Sequence, residues 1–158
     1  MKENIVYIVN PISGKLSNEK KTRVIENIDP STKPEIIFSQ SLEDAGKKAQ
    51  EFMLKKYLVV ACGGDGFINI IAQKAIDYAC NMALLPFGRG NDFARSLDLD
   101  TLEKATDAIR VRNFKPVRYL KVVFSDNSRI SLTNAGVGLL SEASFRASRI
   151  PLIKGSLL

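Results

Sequence analysis

The sequence of 158 residues contains no histidine, no tryptophan and only two cysteines. Without histidine, these residues provide no histidine general base, no Ser–His or Cys–His pair and no histidine-ligated metal. Cys62 and Cys80 form no CxxC pair and lie in apolar stretches. We therefore expect both to be buried free thiols of a protein in a reducing compartment.

Long apolar runs are also absent. The longest, residues 57–62 and 82–87, are far shorter than the ~18 residues that a membrane-spanning helix needs. The N-terminus does not match a signal peptide, because Asn10-Pro11 cuts its first apolar run short. The length suits one domain and allows a real core, so we expect a cytoplasmic globular protein.

Positive charge is unevenly distributed along the chain. Residues 110–158 hold nine Lys or Arg and two acids, whereas residues 1–109 hold 14 basic and 15 acidic residues, and the total is +6. Such asymmetry favours an anionic partner, a membrane surface or a neighbouring domain that is missing from this sequence. Nucleic acid is not expected as the partner, because no aromatic platform or reading helix accompanies the charges.

Apolar periodicity alternates between strand-like and helix-like segments. The predicted strands are residues 4–9, 35–39, 57–62 and 82–85, and the predicted helices are 18–28, about 42–53, 67–79, 93–97 and 101–110. The strand at 57–62 is apolar throughout, which is typical of a sheet covered on both faces. Ser41 and Asp44 resemble a capping box. The order predicts a three-layer α/β/α domain with a mostly parallel sheet.

The pattern changes after residue 115. Residues 116–124 and 128–135 are strand-like and flank a polar turn, which predicts a β-hairpin. A helix is expected over 141–149. We therefore predict an α/β domain at 1–115 and the start of an incomplete, β-rich second domain at 116–158.

Three predicted strands are followed by loops that contain glycine. These loops are Asn10–Lys15, Gly63–Gly66 and Pro86–Phe93. Parallel sheets bind ligands at the carboxyl ends of their strands, and glycines let backbone N–H groups approach a phosphate. Arg89 is a further candidate to bind phosphate or substrate. Neither a P-loop string nor a complete dinucleotide fingerprint is present.

The position of Asp65 has two explanations. Beside a phosphate, it would hold Mg²⁺ or accept hydrogen bonds from the loop or the ligand. In a purely structural turn, it would cap the helix that follows, as Asn91 or Asp92 would cap the next one. The residues alone therefore predict an α/β domain that binds a phosphorylated ligand, and they leave its chemistry open.

Four strings of the sequence resemble one family. NPISGK (10–15), GGDGF (63–67), LPFGRGNDFARSL (85–97) and NAGVGLLSEA (134–143) resemble the catalytic region of the diacylglycerol kinase family, which includes sphingosine, ceramide and bacterial lipid kinases. The resemblance implies an α/β domain similar to that of NAD kinases and phosphofructokinases, followed by a β-rich domain. It also implies transfer of the γ-phosphoryl group of Mg·ATP to a lipid hydroxyl.

The resemblance also implies roles for individual residues. Asp65 and Asp92 would be catalytic, and Asp65 would also be the Mg²⁺ ligand. Phe67 and Arg89 stand where the family usually has threonine, and Glu142 does not match the catalytic glutamate of the family's C-terminal domain. The residues that would bind the nucleotide are Asn10, Ser13, Gly14, Ser39, Gly63, Gly64, Gly66, Gly88, Arg89 and Asn91.

The resemblance makes this chain the nucleotide-binding portion of a lipid kinase, inactive alone. The alternatives are a kinase of a small polar alcohol that is similar to NAD kinase, and a non-catalytic nucleotide-binding module. The expected cofactors are ATP and Mg²⁺. The expected partners are a lipid acceptor such as diacylglycerol, an anionic membrane contacted peripherally, and a second copy of the chain in a homodimer.

Overall fold

The structure, a computed structural model, describes residues 4–31, 33–112, 114–135 and 146. The chain forms two compact units, residues 1–117 and 118–158. The incompleteness of the second unit stays a prediction. In the described part of the chain, no helix is long and apolar enough to cross a membrane.

The first unit is built on a four-stranded parallel sheet. Its strands are β1 (Ile5–Val9), β2 (Glu35–Phe38), β3 (Leu58–Gly63) and β4 (Met82–Pro86). They lie in the order β2-β1-β3-β4, with Val9 opposite both Phe38 and Cys62. The fully buried β3 lies in the middle, as its uninterrupted apolar sequence predicts.

Five helices connect or follow these strands. They are α1 (Asn18–Glu26), α2 (Leu42–Leu54), α3 (Asp65–Asp77), α4 (Asp92–Ser96) and α5 (Leu102–Val111). Ile25 of α1 and Ile109 of α5 pack on one face of the sheet with Tyr7 and Val60. Helices α2 and α3 contact each other and β3 on the opposite face. The predicted α/β class and its mostly parallel sheet are confirmed.

Hydroxyl side chains begin three of the helices. Ser17, Ser41 and Thr101 each accept a hydrogen bond from the backbone N–H three residues later, which satisfies a helix donor that would otherwise be free. At Ser41 the predicted capping box is present, and Asp44 accepts from the backbone N–H of Gln40 at 2.9 Å. In contrast, α3 begins at Asp65, two residues before the predicted start, and Gly64 gives it no side-chain cap.

The described part of the second unit is a β-hairpin. Strands β5 (Leu120–Val123) and β6 (Ser128–Ser131) pair antiparallel, and Phe124 N–H donates to Asn127 O at 2.8 Å across the turn. Both strands are shorter than predicted, since residues 116–119 and 132–135 form no ladder pairs. The predicted helix at 141–149 lies outside the described residues except for residue 146.

Both cysteines are free thiols, but their environments differ. Cys62 in β3 is buried, as predicted, whereas Cys80 is only half-buried. The prediction for Cys80 was wrong because that residue follows the end of α3 and precedes β4, in a connection rather than in the sheet.

Candidate active site

The loops that follow the four parallel strands lie at one edge of the sheet. Asn10 N–H, just after β1, donates to Cys62 O at 2.9 Å, and Ser39 N–H, just after β2, donates to Val9 O at 2.9 Å. Gly88 N–H, after β4, donates to Gly63 O at 3.2 Å. These backbone bonds bring together the predicted nucleotide-binding residues at the edge where parallel sheets bind ligands.

The first loop folds on itself and packs against the fourth. Asn10 Oδ1 accepts from Ile12 N–H at 3.2 Å, and Ser13 Oγ donates to Asn10 O at 3.0 Å. Gly14 has φ +66°, and a Cβ atom there would lie 1.9 Å from Phe87 O. The loop therefore requires glycine at position 14, both for its left-handed backbone and for this close approach.

The loops after β3 and β4 are in direct backbone contact. A Cβ atom at Gly88 would lie 2.5 Å from Gly64 Cα and 2.5 Å from Asn91 Oδ1. Asn91 adopts φ 55° and donates through Nδ2 to Pro86 O at 3.2 Å and Gly88 O at 3.1 Å. The side chain of Asn91 thus shapes the fourth loop and, contrary to the capping expectation, makes no cap bond to α4.

Asp65 connects the loops that follow β3 and β4. Its Oδ2 accepts from Asp92 N–H at 3.1 Å and its Oδ1 accepts from Phe93 N–H at 2.9 Å. Of the two explanations for Asp65, the cap on its own helix is wrong, because the carboxylate instead accepts hydrogen bonds from the first turn of α4. A negative charge is favourable at this helix start, so Asp65 holds the β3–α3 turn and α4 together.

A second carboxylate lies beside the first. Asp92 Oδ1 accepts from Arg95 Nη1 at 2.8 Å, and Arg95 Nη2 donates to Gly90 O at 2.8 Å. A Cβ atom at Gly90 would lie 3.5 Å from Asp65 Oδ2 and 3.9 Å from Asp92 Oδ2. Both carboxylates therefore flank Gly90. Arg89 is an exposed residue of the same loop.

A cleft of about 110 Å³ opens beside the first loop. Ser39 contributes a buried hydroxyl that donates to Val9 O at 3.3 Å. Phe67 is 3% exposed, and its ring lies close to Gly63, where a Cβ atom would be 2.7 Å from it. The aromatic side chain therefore fills space against β3 at the wall of the cleft. The residues that line the cleft are Asn10, Pro11, Ile12, Ser39, Gln40, Ser41, Leu42 and Phe67.

Lys21 is a residue of this region that the sequence analysis missed. It is fully buried in α1, and its Nζ donates to Asn10 O at 2.9 Å and to Pro11 O at 3.0 Å. Burial lowers the pKa of Lys21 from its ordinary value. The available signal was its position four residues before the buried Ile25, on the apolar face of α1.

A divalent cation at this edge would have few protein ligands. The described residues contain no group of three or more His, Cys, Asp or Glu that could hold a metal. Mg²⁺, however, commonly binds through one or two carboxylates together with substrate phosphates. The pair Asp65 and Asp92 beside Gly90 fits that mode of binding.

The comparisons with known proteins agree with this arrangement. The family model for the diacylglycerol kinase catalytic domain matches residues 4–122. Two solved structures assigned as diacylglycerol kinases from Bacillus anthracis str. Sterne are 27% identical to this chain, with a TM-score of 0.65, over 75% of this chain and 46% of theirs. A third structure from that organism has a TM-score of 0.64 and 27% identity. The match covers 74% of this chain and 44% of that structure.

The chain therefore spans less than half the length of these structures. No curated protein matches the sequence. The family string at 134–143 lies almost wholly outside the described residues, so the assignment rests on the first three strings and on the fold that presents them. With the family model matching most of the sequence, the chain belongs to the diacylglycerol kinase catalytic domain family.

Proposed function

We propose that this chain forms the nucleotide-binding part of a kinase that transfers the γ-phosphoryl group of Mg·ATP to the hydroxyl of a lipid such as diacylglycerol. One observation carries the proposal: three glycine loops contact one another at the carboxyl edge of a parallel sheet, in a chain that belongs to this family. Backbone-lined edges of this kind suit phosphate groups.

The first turn of α3 supports a phosphate position. This helix has 13 residues and no side-chain cap, so its first N–H groups are available to an anion. A Cβ atom at Gly66 would meet nothing within 4 Å, which leaves room for a ligand against that turn. The N-terminus of α4 is different, because the Asp65 carboxylate already occupies it.

Asp65 and Asp92 are the residues proposed to hold Mg²⁺ once nucleotide phosphates complete its ligands. The bound ion would neutralise charge on the phosphates and so favour phosphoryl transfer. Arg95 fixes one oxygen of Asp92 and the carbonyl of Gly90, which orients the Asp92 carboxylate. We assign Asp92 a further part in orienting the acceptor hydroxyl.

Titration calorimetry of ADP into the chain tests nucleotide binding. We expect saturable binding that strengthens when Mg²⁺ is added, because the two carboxylates and the phosphates share the ion. A control titration with uridine diphosphate measures the contribution of the base. Failure to detect ADP binding at millimolar protein and ligand would contradict the proposal.

Lipid phosphorylation is the second test. We propose that residues 1–158 bind nucleotide but transfer no phosphate, because no residue matches the catalytic glutamate that the family resemblance implies. Diacylglycerol in detergent micelles and radiolabelled ATP would measure this directly. Rapid turnover by this chain alone would refute the inactivity, while leaving the nucleotide site in place.

A further inference from the structure

Lys21 places a positive charge where the first and fourth loops meet. Its side chain is fully buried, and its Nζ donates to the carbonyl oxygens of Asn10 and Pro11. The same Nζ lies 6.0 Å from the centre of the Phe87 ring. Asn10 and Pro11 begin the first loop and Phe87 begins the fourth, so the ammonium group contacts both loops at the candidate site.

This charge has no anionic partner within the part of the chain that the structure describes. Its contacts are the two carbonyls and the aromatic ring. The nearby Cys62 thiol stays neutral, because burial raises its pKa well above the ordinary value. A buried ion without a counter-charge is unfavourable, so a structural role alone explains Lys21 poorly.

An anionic ligand would supply the missing counter-charge. The loops that Lys21 contacts are those proposed to receive phosphate groups, and a charge shielded from water acts more strongly than an exposed one. The carbonyls of Asn10 and Pro11 accept from the ammonium group at 2.9 and 3.0 Å, and an ionised donor binds them more strongly than a neutral one. A negatively charged ligand would add the counter-charge that two neutral carbonyls cannot supply.

We propose that Lys21 is a positioning residue of the nucleotide site, which fixes the Asn10 and Pro11 carbonyls and supplies the buried positive charge that the ligand's phosphate groups neutralise. This inference rests on the proposed nucleotide-binding function. Lys21 acts through the first loop and does not touch the reacting atoms.

The test compares a charged and an uncharged ligand of the same shape. Lys21→Gln keeps a hydrogen-bond donor but removes the charge, and Lys21→Met removes both. Lys20→Gln is the matched control, because Lys20 is the exposed neighbour on α1 and its loss changes the net charge equally. Affinities for ADP are measured by calorimetry, and those for adenosine by ligand-observed NMR, on the 158-residue chain.

We expect Lys21→Gln to weaken ADP about tenfold, as the loss of one partly shielded charge should, and to change adenosine affinity by less than about twofold. Lys20→Gln should leave both affinities unchanged. If Lys21→Gln weakens ADP and adenosine equally, Lys21 only shapes the loop and the electrostatic role is wrong. Unchanged ADP affinity would refute the inference altogether.

Inorganic pyrophosphate separates this inference from the proposed function. A wild-type chain that binds pyrophosphate but not ADP would remove the nucleotide assignment, and Lys21→Gln would then test the charge on pyrophosphate alone. A wild-type chain that binds neither overturns both proposals. Should Lys21→Met fail to fold, as circular dichroism would show, Lys21→Gln carries the test.

Discussion

At the scale of single residues, two glycines of the site differ in what a methyl group would meet. At Gly14 a Cβ atom would lie 1.9 Å from Phe87 O on a backbone with φ +66°. At Gly66 it would meet nothing within 4 Å. The first glycine is therefore required by the fold, whereas the second is required only if a ligand uses the open space.

Alanine at each position separates these roles. Gly14→Ala should destabilise the protein by about 2 kcal/mol or more, from the left-handed backbone and the overlap together. Gly66→Ala should keep or raise stability, by up to about 1 kcal/mol, because alanine favours a helix over glycine. It should nevertheless weaken ADP binding. Urea unfolding and calorimetry measure the two effects.

Two outcomes would contradict the roles assigned to Gly66 and Gly14. Full ADP affinity in Gly66→Ala would show that no phosphate lies against the first turn of α3. Wild-type stability in Gly14→Ala would show that the first loop can leave Phe87 without loss.

Asp65→Ala removes both acceptors for the N–H groups of Asp92 and Phe93, and should destabilise the protein by about 1–2 kcal/mol. Asp65→Asn retains one acceptor oxygen, but its NH₂ group faces the second backbone N–H and cannot accept from it. This variant should therefore recover only part of the stability and none of the Mg²⁺-dependent part of ADP binding.

Thermal unfolding and calorimetry with and without Mg²⁺ measure these responses. Equal stability losses in the two variants would contradict the capping role of Asp65. Unchanged dependence on Mg²⁺ in Asp65→Asn would instead remove Asp65 as a candidate metal ligand.

The sequence predicted which residues lie at this edge, but not which of them contact one another. Glycines and carboxylates after strands are visible as strings, and parallel strands end at a common edge. The bond from Asp65 to Phe93 joins residues 28 positions apart, and no local pattern encodes it. The buried position of Lys21 was not predicted either, because lysine is rarely fully buried and its residue type alone indicates a surface position.

At the scale of elements, the start of α2 is the feature that the sequence predicted in most detail. Ser41 Oγ accepts from Asp44 N–H at 3.0 Å, and the Asp44 carboxylate returns to Gln40 N–H. Such contacts are local, with spacing fixed by the helix itself, and are therefore readable from the sequence. The ends of β5 and β6 are not, because they depend on which residues find a partner strand.

Ser41→Ala tests this cap. The exposed N–H of Asp44 loses its acceptor, and the substitution should lower the free energy of unfolding by about 1 kcal/mol. Ser41→Asp should restore it, since aspartate is also a good N-cap and favours the helix dipole. Urea unfolding followed by circular dichroism measures both variants. No loss in Ser41→Ala would mean that water replaces the cap without cost.

At the scale of the whole molecule, cations and apolar side chains coincide in the hairpin. Leu120, Val123 and Phe124 are 49%, 72% and 52% exposed, and Lys121 and Arg129 are exposed beside them. Residues 110–158 also carry nine basic and two acidic groups. We propose that this hairpin makes the peripheral contact with an anionic membrane that is expected from the sequence, because cations attract anionic headgroups and apolar groups favour the interface.

Vesicle sedimentation tests that contact. The chain should co-sediment with vesicles containing phosphatidylserine at about 50 mM salt and should be released at about 0.5 M, because screening shortens the range of surface charges. Neutral phosphatidylcholine vesicles serve as the control. Equal binding to neutral vesicles, or binding that is indifferent to salt, would rule out the electrostatic contact.

NMR mapping of Mg·ADP on the ¹⁵N-labelled chain shows whether nucleotide binds at the carboxyl edge of the sheet, as we propose. The largest shifts are predicted for the backbone amides of Gly14, Gly64, Gly66 and Gly88. Amides at the opposite edge, such as those of Tyr57 and Glu35, should change little. Shifts concentrated at Tyr57 and Glu35, with the glycine amides unmoved, would contradict the claim.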